Sequence, residues 1–172
     1  MATAYIALGS NLGNRRANLQ VALRGITRMA RVEAVSPLYE TEPEGPPQPK
    51  YYNAVCRIET GLAPEPLLRF LKALEHEIGR RRAAEPVAPR PIDLDLILYE
   101  DSVIDEPGLT VPHPRMAGRA FVMVPLAEIA PKVEVAGRPS TDVAAALGRM
   151  GLEVVADAGW DGVVATTQDV RL

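Results

Sequence analysis

The order of predicted elements in this 172-residue chain, βαββαβ followed by helices, indicates an α+β fold in which helices pack on a sheet. The prediction depends on three observations. Apolar and polar residues alternate over 53–59, which is typical of a strand with one buried face. Leucines recur at helical spacing between Pro64 and Gly79. A further apolar strand is indicated at 92–98, where two aspartates interrupt the pattern.

The first half of the chain contains one helix among three strands. Short apolar or alternating runs predict strands at 5–8, 32–38 and 52–60. The first strand ends at 9–13, whose glycines permit a tight turn, and Asn14 is a suitable N-cap for the helix that follows. The apolar face of that helix carries Leu19, Leu23, Ile26 and Met29. The prolines of 42–49 predict a loop before the third strand.

The second helix has the clearest boundaries. It starts near Pro64 and stops at Gly79, which suit the first turn and the C-terminal cap. Its apolar face carries Leu67, Leu71, Leu74 and Ile78. Prolines keep the arginine-rich segment 80–91 out of helix. Beyond the strand at 92–98 we expect a turn at 100–101, a short segment at 102–104, an extended run at 109–113, a helix at 115–129 kinked near Pro125, a helix at 141–148 and a strand at 153–156.

Composition limits the functions that the chain can carry. With 47% hydrophobic residues, residues 1–172 are expected to form a single domain with a substantial core. The net charge of −3 argues against nucleic-acid binding and favours a small-molecule substrate. The single cysteine, Cys56, is predicted to pack in the core with Ala54 and Ile58. Because no signal peptide or long apolar run is evident, we expect a cytoplasmic protein with no membrane partner. We also expect a monomer.

Asp93 and Asp95 are the most informative residues of the chain. Side chains two apart in a strand share a face, with their Cα atoms roughly 7 Å apart, so both carboxylates should enter one pocket. The apolar residues expected to pack behind them are Ile92, Leu94, Leu96 and Leu98. Two like charges in an apolar strand need a counter-charge. Mg²⁺ supplies one, because it binds one or two carboxylates and completes its shell with water and phosphate oxygens.

Other functions fit the same residues. Alone, the Asp-x-Asp pattern also fits a solvated strand face that carries two aspartates by chance. The nearby arginines favour a polyphosphate site, because guanidinium groups bind phosphate oxygens bidentately, although an ordinary solvated loop is the alternative. These arginines are Arg80, Arg81, Arg82 and Arg90. A metal-dependent phosphohydrolase or nuclease would use the same carboxylates with a water activator, and a non-catalytic nucleotide-sensing module is a further possibility.

Seven short motifs occur in order along the chain. They are Tyr-Ile-Ala-Leu-Gly-Ser-Asn-Leu-Gly at 5–13, Tyr-Glu-Thr-Glu-Pro-Glu-Gly at 39–45, Tyr-Tyr-Asn at 51–53, Gly-Arg at 79–80, Pro-Arg-Pro-Ile-Asp-Leu-Asp-Leu at 89–96, Leu-Thr-Val-Pro-His at 109–113 and Arg-Ala-Phe at 119–121. Together they resemble the 6-hydroxymethyl-7,8-dihydropterin pyrophosphokinase family of folate biosynthesis. The resemblance is collinear from about Tyr5 to Pro131, and it leaves 132–172 as a C-terminal extension of open role.

The resemblance implies a ferredoxin-like fold with a mainly antiparallel sheet, and a reaction in which ATP gives its pyrophosphate to the pterin hydroxymethyl group and leaves as AMP. It implies that Asp93 and Asp95 bind two Mg²⁺ ions that bridge the ATP phosphates, and that Arg80 and Arg90 clamp those phosphates. Further nucleotide contacts are implied for Glu75, Arg82, Leu96, Thr110, His113 and Arg119. Pterin contacts are implied for Thr41, Tyr51, Asn53 and Phe121, and for the backbone of Glu42 and Glu44. An amide such as that of Asn53 both donates and accepts hydrogen bonds, as the pterin edge requires.

The chain departs from the family pattern at a few positions. Val87 stands where an aromatic residue is common and Ala83 where a basic residue is frequent, so the arginine segment is expected to pack less tightly over ATP. Glu42 and Glu44 replace residues that are often apolar or proline. We predict that the arginine segment is mobile without ligand and closes over ATP, which would leave its arginines far from the aspartates in the free protein.

Overall fold

A computed structural model describes residues 1–79 and 89–164 of the chain. Its strands are β1 (Ala2–Ser10), β2 (Ala30–Val35), β3 (Leu38–Thr41), β4 (Tyr51–Thr60), β5 (Asp93–Tyr99), β6 (Ile104–Glu106), β7 (Leu109–Val111), β8 (Glu134–Val135), β9 (Arg138–Pro139) and β10 (Leu152–Ala156). Its α-helices are α1 (Arg15–Ile26), α2 (Pro64–Ile78), α3 (Ala120–Ile129) and α4 (Ser140–Leu147), and a 3-10 helix spans Met116–Gly118.

One six-stranded antiparallel sheet organises the molecule. Neighbouring strands follow the order β10, β3, β4, β1 and β5, and β2 also pairs with β4. Strand β1 lies inside the sheet between β4 and β5, and Gly9 pairs with Asn53 on one side and with Asp93 on the other. The register of β1 therefore brings two of the sequence motifs together at one end of the sheet.

Strands β2 and β3 pair with the same edge of β4, one after the other, with a break between them. The sequence predicts one continuous strand at 32–38, and this is wrong, because the chain leaves the ladder at Ser36 and Pro37. Proline has no N–H to donate to a ladder. Ser36 replaces the lost pairing: its N–H donates to Val55 O at 2.9 Å, and its Oγ accepts from Val55 N at 2.9 Å. If β2 and β3 are counted as one interrupted strand, the predicted βαββαβ order is confirmed.

Helices cover both faces of the sheet. A first core lies under α1 and α2 and contains the predicted leucines of both helices, and a second core lies under α3 and α4. Period-two alternation sends Ala54, Cys56 and Ile58 of β4 to the first core and Val55 to the second. The predicted burial of Cys56 is confirmed. Burial of both faces explains why the strands contain long apolar runs.

Helix α2 shows how the local signals work. Pro64 occupies its first turn, where a missing N–H costs nothing, and Gly79 closes it in the left-handed conformation at φ 109°. Helix α1 begins after Asn14, whose side chain accepts from Ala17 N at 3.1 Å, as predicted. It ends at Ile26, three residues earlier than the pattern suggests, and Met29 is therefore 45% exposed.

Two predicted details of the later strands and helices are wrong. The pairing of β1 with β5 shifts between Tyr5 and Ile6, so an extra residue reverses the alternation and Leu98 packs in the second core, away from Leu94 and Leu96. The helix expected at 115–129 is divided at Arg119, which adopts an extended conformation between the 3-10 helix and α3. Pro125 lies inside α3 without ending it.

Residues 132–164 pack back on the sheet. Strands β8 and β9 form a hairpin, α4 contributes Val143 and Ala144 to the second core, and β10 pairs with β3. The predicted helix at 141–148 and strand at 153–156 are confirmed as α4 and β10. Within the described ranges no helix has the length and apolar character needed to cross a membrane.

Candidate active site

A cavity of about 350 Å³ opens at the end of the sheet where β1, β4 and β5 carry their motifs. Its described lining consists of Ala7, Leu8, Gly9, Thr41, Glu42, Glu44, Gln48, Tyr51, Asn53, Ala54, Lys72, Arg90, Asp93, Asp95, Ile97, His113, Arg115, Arg119, Phe121 and Val122. The carboxylates of Asp93 and Asp95 lie on the β5 side of this cavity. The amide of Asn53 lies on the β4 side, together with the aromatic rings of Tyr51 and Phe121. A volume of this size suits small ligands.

The geometry of β5 places both aspartates in the cavity. Asp93 pairs with Gly9 and Asp95 with Ala7 across the ladder, while Leu94 and Leu96 point to the first core. Burial, with the charge of Asp93 next, raises the pKa of Asp95 to about 6, and Lys72 and Arg119 act against this rise. The pair is therefore a site of concentrated negative charge that favours a cation.

The donor set suits Mg²⁺. Among the described residues, no group of three or more His, Cys, Asp or Glu side chains is arranged to hold a metal ion. Two carboxylates suffice for Mg²⁺, because it keeps several waters and takes its remaining oxygens from substrate phosphates. Asp93 and Asp95 supply hard oxygen ligands at the edge of a cavity with room for such a substrate.

Arg90 lies next to the acidic pair. Its Nη1 is 3.4 Å from Asp93 Oδ1, so the expectation that Arg90 stands far from the aspartates in the free protein is wrong. The reason is that two hydrogen bonds to Asn11 hold the backbone of Arg90 in place. Arg90 N donates to Asn11 Oδ1 at 2.7 Å, and Asn11 N donates to Arg90 O at 3.0 Å. The predictions for Arg80, Arg82, Ala83 and Val87 concern residues outside the described ranges.

The opposite side of the cavity is built around Asn53. Asn53 and Thr41 are both buried, and Asn53 Nδ2 donates to Thr41 Oγ1 at 2.6 Å. Tyr51 and Phe121 line the same cavity. Gly9 makes this arrangement possible, because a Cβ atom at that position would lie 2.9 Å from Asn53 Oδ1. A polar amide with aromatic neighbours suits a flat heterocycle with hydrogen-bonding edges.

His113 and Arg119 stand at the mouth of the cavity, after β7 and before α3. Burial, followed by the charges of Arg119 and Arg115, lowers the pKa of His113, which favours the neutral imidazole. Its Nδ1 accepts from Arg115 N at 3.1 Å. Arg119 pairs with Glu44 at 2.9 Å and lies over the Phe121 ring, 5.5 Å from its centroid.

The structure does not bring every predicted residue to the described lining of the cavity. The three that it leaves out are Glu75, Leu96 and Thr110. Glu75 is buried behind β5, where its Oε1 accepts from Leu94 N at 2.7 Å. Leu96 is in the first core, so it presents only its backbone to the other face, and Thr110 is exposed on β7.

Lys72 and Arg115 line the cavity and were not predicted from the sequence. Lys72 Nζ lies 3.3 Å from Glu75 Oε1 and 3.4 Å from Leu94 O. A signal was present, since Lys72 is one turn before Glu75 and residues three apart share a helix face. The missing information was that this face of α2 lies against β5, which depends on tertiary packing.

At one end of an α+β sheet, an acidic pair with Lys72, Arg90 and Arg119 lines a cavity of small-molecule size. This arrangement suits a phosphoryl-transfer enzyme that acts on a small molecule. A sequence model of the family 7,8-dihydro-6-hydroxymethylpterin-pyrophosphokinase (HPPK) matches residues 5–131. The chain belongs to this family. Membership disfavours the hydrolase, nuclease and sensing alternatives.

Relatives of known function agree with the family match. The chain is 44% identical over 153 residues to the 2-amino-4-hydroxy-6-hydroxymethyldihydropteridine pyrophosphokinase of Pseudomonas aeruginosa, which covers 87% of this chain and 94% of that protein. It is 46% identical over 133 residues to the enzyme of the same name from Haemophilus influenzae, with 76% and 82% covered.

Solved structures support the fold. The chain resembles the HPPK-DHPS protein of Plasmodium falciparum with a TM-score of 0.69 at 14% identity. The match covers 84% of this chain and 44% of that one, so the chain spans less than half of the solved protein. At this identity the likeness concerns the fold, and it confirms the predicted ferredoxin-like α+β architecture.

Proposed function

We propose that this chain transfers pyrophosphate from ATP to the hydroxymethyl group of 6-hydroxymethyl-7,8-dihydropterin in folate biosynthesis, and that the reaction takes place in the cavity between β4 and β5. One observation carries the proposal: the acidic pair and the Asn53–Thr41 pair line one cavity and are joined through Gly9. A site that joins two substrates needs both a phosphate side and an acceptor side within reach of each other.

Asp93 and Asp95 are proposed to hold Mg²⁺. The raised pKa of Asp95 supports this role, because a bound cation would relieve the repulsion between two carboxylates. When bound, Mg²⁺ would neutralise phosphate charge and hold the reacting oxygens in line. The family resemblance implies two ions.

Three cationic residues and the neutral imidazole of His113 are proposed to bind the ATP phosphates. The cationic residues are Arg90, Arg119 and Lys72, which line the cavity around the acidic pair with His113. The two hydrogen bonds to Asn11 hold the backbone of Arg90, so its side chain extends into the cavity from a fixed backbone position. One well-placed donor to developing charge is typically worth about 3–4 kcal/mol of transition-state stabilisation. The resemblance adds Arg80 and Arg82, and it adds Glu75, Leu96 and Thr110 as further nucleotide contacts.

The pterin is proposed to bind on the β4 side. Asn53 and Thr41 would exchange hydrogen bonds with the amide-and-amine edge of the ring, and Tyr51 and Phe121 would flank its faces. The Asn53–Thr41 hydrogen bond fixes the orientation of the amide before the ring arrives. This preorganisation lowers the entropy lost on binding.

The two sides together support an in-line displacement at the β-phosphorus of ATP. The hydroxymethyl oxygen of the pterin forms a bond to that phosphorus, and the bond from it to the oxygen bridging to the α-phosphorus breaks. The hydroxyl proton is released, and AMP leaves with the bridging oxygen. Arg90 and Arg119 would stabilise charge on the transferred group, while Asn53 holds the nucleophile in position.

Replacing Asp95 by Ala tests the assignment of the acidic pair. Magnesium-dependent turnover should be abolished with the fold intact, as judged by circular dichroism and thermal unfolding. Asp157→Ala is the matched control, because Asp157 is exposed and lies near the C-terminus of the described chain. Substantial residual turnover in Asp95→Ala would refute the role of the pair.

Replacing Arg90 by Ala should mainly slow the chemical step. We expect kcat to fall by about two to three orders of magnitude, as for loss of a charge-stabilising donor. Arg31→Ala is a suitable control, because the Arg31 side chain is 75% exposed and pairs only with Glu33 among the described contacts. An unchanged turnover number would remove Arg90 from the mechanism.

We further propose that residues 132–164 belong to the same domain as the family-matched part, because α4, β10 and Trp160 pack into its two cores. The expectation that the chain acts as a cytoplasmic monomer stays a prediction. Size-exclusion chromatography with light scattering would test the oligomeric state, and fractionation of the source cells would test the compartment.

A further inference from the structure

We propose that Glu44 sets the nucleotide affinity of this site by competing with phosphate oxygens for Arg119. The inference rests on the proposed function, because it takes the cavity as the binding site of ATP.

The ion pair of Glu44 with Arg119 joins two segments that line the cavity. Glu44 lies on the loop 42–49 and Arg119 immediately before α3, and both line the cavity. Their closest atoms, Glu44 Oε2 and Arg119 Nη2, are 2.9 Å apart. The Arg119 side chain is 18% exposed and that of Glu44 57% exposed, so a largely buried arginine side chain pairs with a more exposed glutamate.

A carboxylate and a phosphate use the same guanidinium donors. Arg presents a planar fork of N–H groups that matches either anion in the same geometry. A phosphate oxygen that binds Arg119 in this direction must therefore displace the Glu44 carboxylate or share the fork with it. This competition weakens the binding of an anionic ligand.

Glu42 provides a matched comparison on the same loop. It also lines the cavity and carries the same charge, but its Oε1 pairs with Lys50 Nζ at 3.4 Å instead of with Arg119. Its side chain is 64% exposed, close to the value for Glu44. Comparing substitutions at Glu44 and Glu42 therefore distinguishes a specific competition for Arg119 from a general effect of the negative charge on the loop.

The experiment compares Glu44→Gln and Glu42→Gln with the unaltered chain. The dissociation constant of a non-hydrolysable ATP analogue with Mg²⁺ is measured by isothermal titration calorimetry at low and at high salt. We expect Glu44→Gln to tighten nucleotide binding about two- to fivefold at low salt, with a smaller gain at high salt because exposed ion pairs are screened. Glu42→Gln should leave nucleotide binding within experimental error. The affinity for the uncharged pterin should be the same in all three proteins.

A double-mutant cycle assigns the effect to Arg119. In an Arg119→Gln background the gain from Glu44→Gln should vanish, since the competing partner is gone. An equal gain from both single variants, no gain from Glu44→Gln, or a gain that persists without Arg119 would each overturn the proposal. Failure of the proposed function is distinguishable, because the unaltered chain would then bind no nucleotide analogue or form no pterin-dependent AMP.

Discussion

At Asp93 and Asp95, two carboxylates of like charge share one partly buried cavity, and burial together with Asp93 raises the pKa of Asp95 to about 6. The folded chain therefore holds the Asp95 proton more tightly than the unfolded chain, where the carboxyl titrates near pH 4. Below that pH the carboxyl is protonated in both states and has no effect. As the pH rises to about 6 and beyond, ionisation of Asp95 costs the fold stability.

Replacing Asp95 by Asn should therefore stabilise the metal-free protein. In the presence of a chelator at pH 7 to 8, we expect the free energy of unfolding to increase by on the order of 1–3 kcal/mol. The gain should shrink as the pH is lowered from 6 to 4. Urea unfolding across this pH range measures it, with Asp157→Asn as the control. A loss of stability, or a gain that is independent of pH, would contradict this account of the pair.

Gly9 is a second residue whose role is set by close contact. Replacing it by Ala would place Cβ 2.9 Å from Asn53 Oδ1 and 3.3 Å from Tyr51 Cδ1, so both side chains must shift. We expect pterin binding to weaken about fivefold or more, equivalent to losing one hydrogen bond, with nucleotide binding retained. Titration calorimetry with each ligand measures both constants.

Gly61→Ala is the matched control for Gly9, because its Cβ would make only an ordinary contact, at 3.7 Å from Met1 Sδ. Equal loss of pterin and nucleotide affinity in Gly9→Ala would show that the substitution disturbs the sheet as a whole. Unchanged pterin affinity would contradict the proposal that Asn53 contacts the pterin.

Single residues differ in how well the sequence predicts their place. The period of a strand is enough to place Asp93 and Asp95 on one face, because that relation is local. Gly9 was interpreted as part of a turn, but it lies within β1 and faces Asn53 of a strand more than forty residues away. Its need for a small side chain comes from this long-range register, which no local pattern contains.

Among the elements, the C-terminal strand and the segment after it attach to the family-matched part at two places. Strand β10 pairs with β3, whose Thr41 lines the cavity. Trp160 is 5% exposed in the first core, and its indole N–H donates to Ser36 O at 2.8 Å. The indole therefore pairs with a carbonyl at the interruption between β2 and β3.

Replacing Trp160 by Ala should destabilise the protein strongly. The loss combines a cavity in the first core with an unpaired Ser36 carbonyl, and we expect about 3–5 kcal/mol. Urea unfolding followed by circular dichroism measures it. Val103→Ala, at a residue that is 85% exposed, should change stability by less than about 0.5 kcal/mol. Equal effects of the two substitutions would show that the C-terminal segment is not part of the cooperative fold.

Element boundaries were predicted best where local chemistry decides them. Pro64 and Gly79 mark the ends of α2 because both act through their own backbone. The interruption between β2 and β3 was missed although Pro37 is a local signal for it, and the extra residue before Leu98 was missed because it depends on the partner strand. The division of the helix at Arg119 was also missed, although Gly118, a poor helix former, lies immediately before it.

At the scale of the whole molecule, one sheet with helices on both faces brings the motifs to a common cavity. Strand β1 is the link, because Gly9 pairs with Asn53 on β4 and with Asp93 on β5. Residues far apart in the chain therefore line one cavity. The two cores pack against the two faces of the sheet, so the site residues lie on well-packed strands.

The central claim is that the cavity joins a nucleotide to a pterin, and the most direct test is AMP formation from ATP and Mg²⁺ with and without 6-hydroxymethyl-7,8-dihydropterin. We expect AMP only when the pterin is present, with an equimolar amount of pterin diphosphate. ADP and phosphate as products, or AMP formed without the pterin, would contradict the claim.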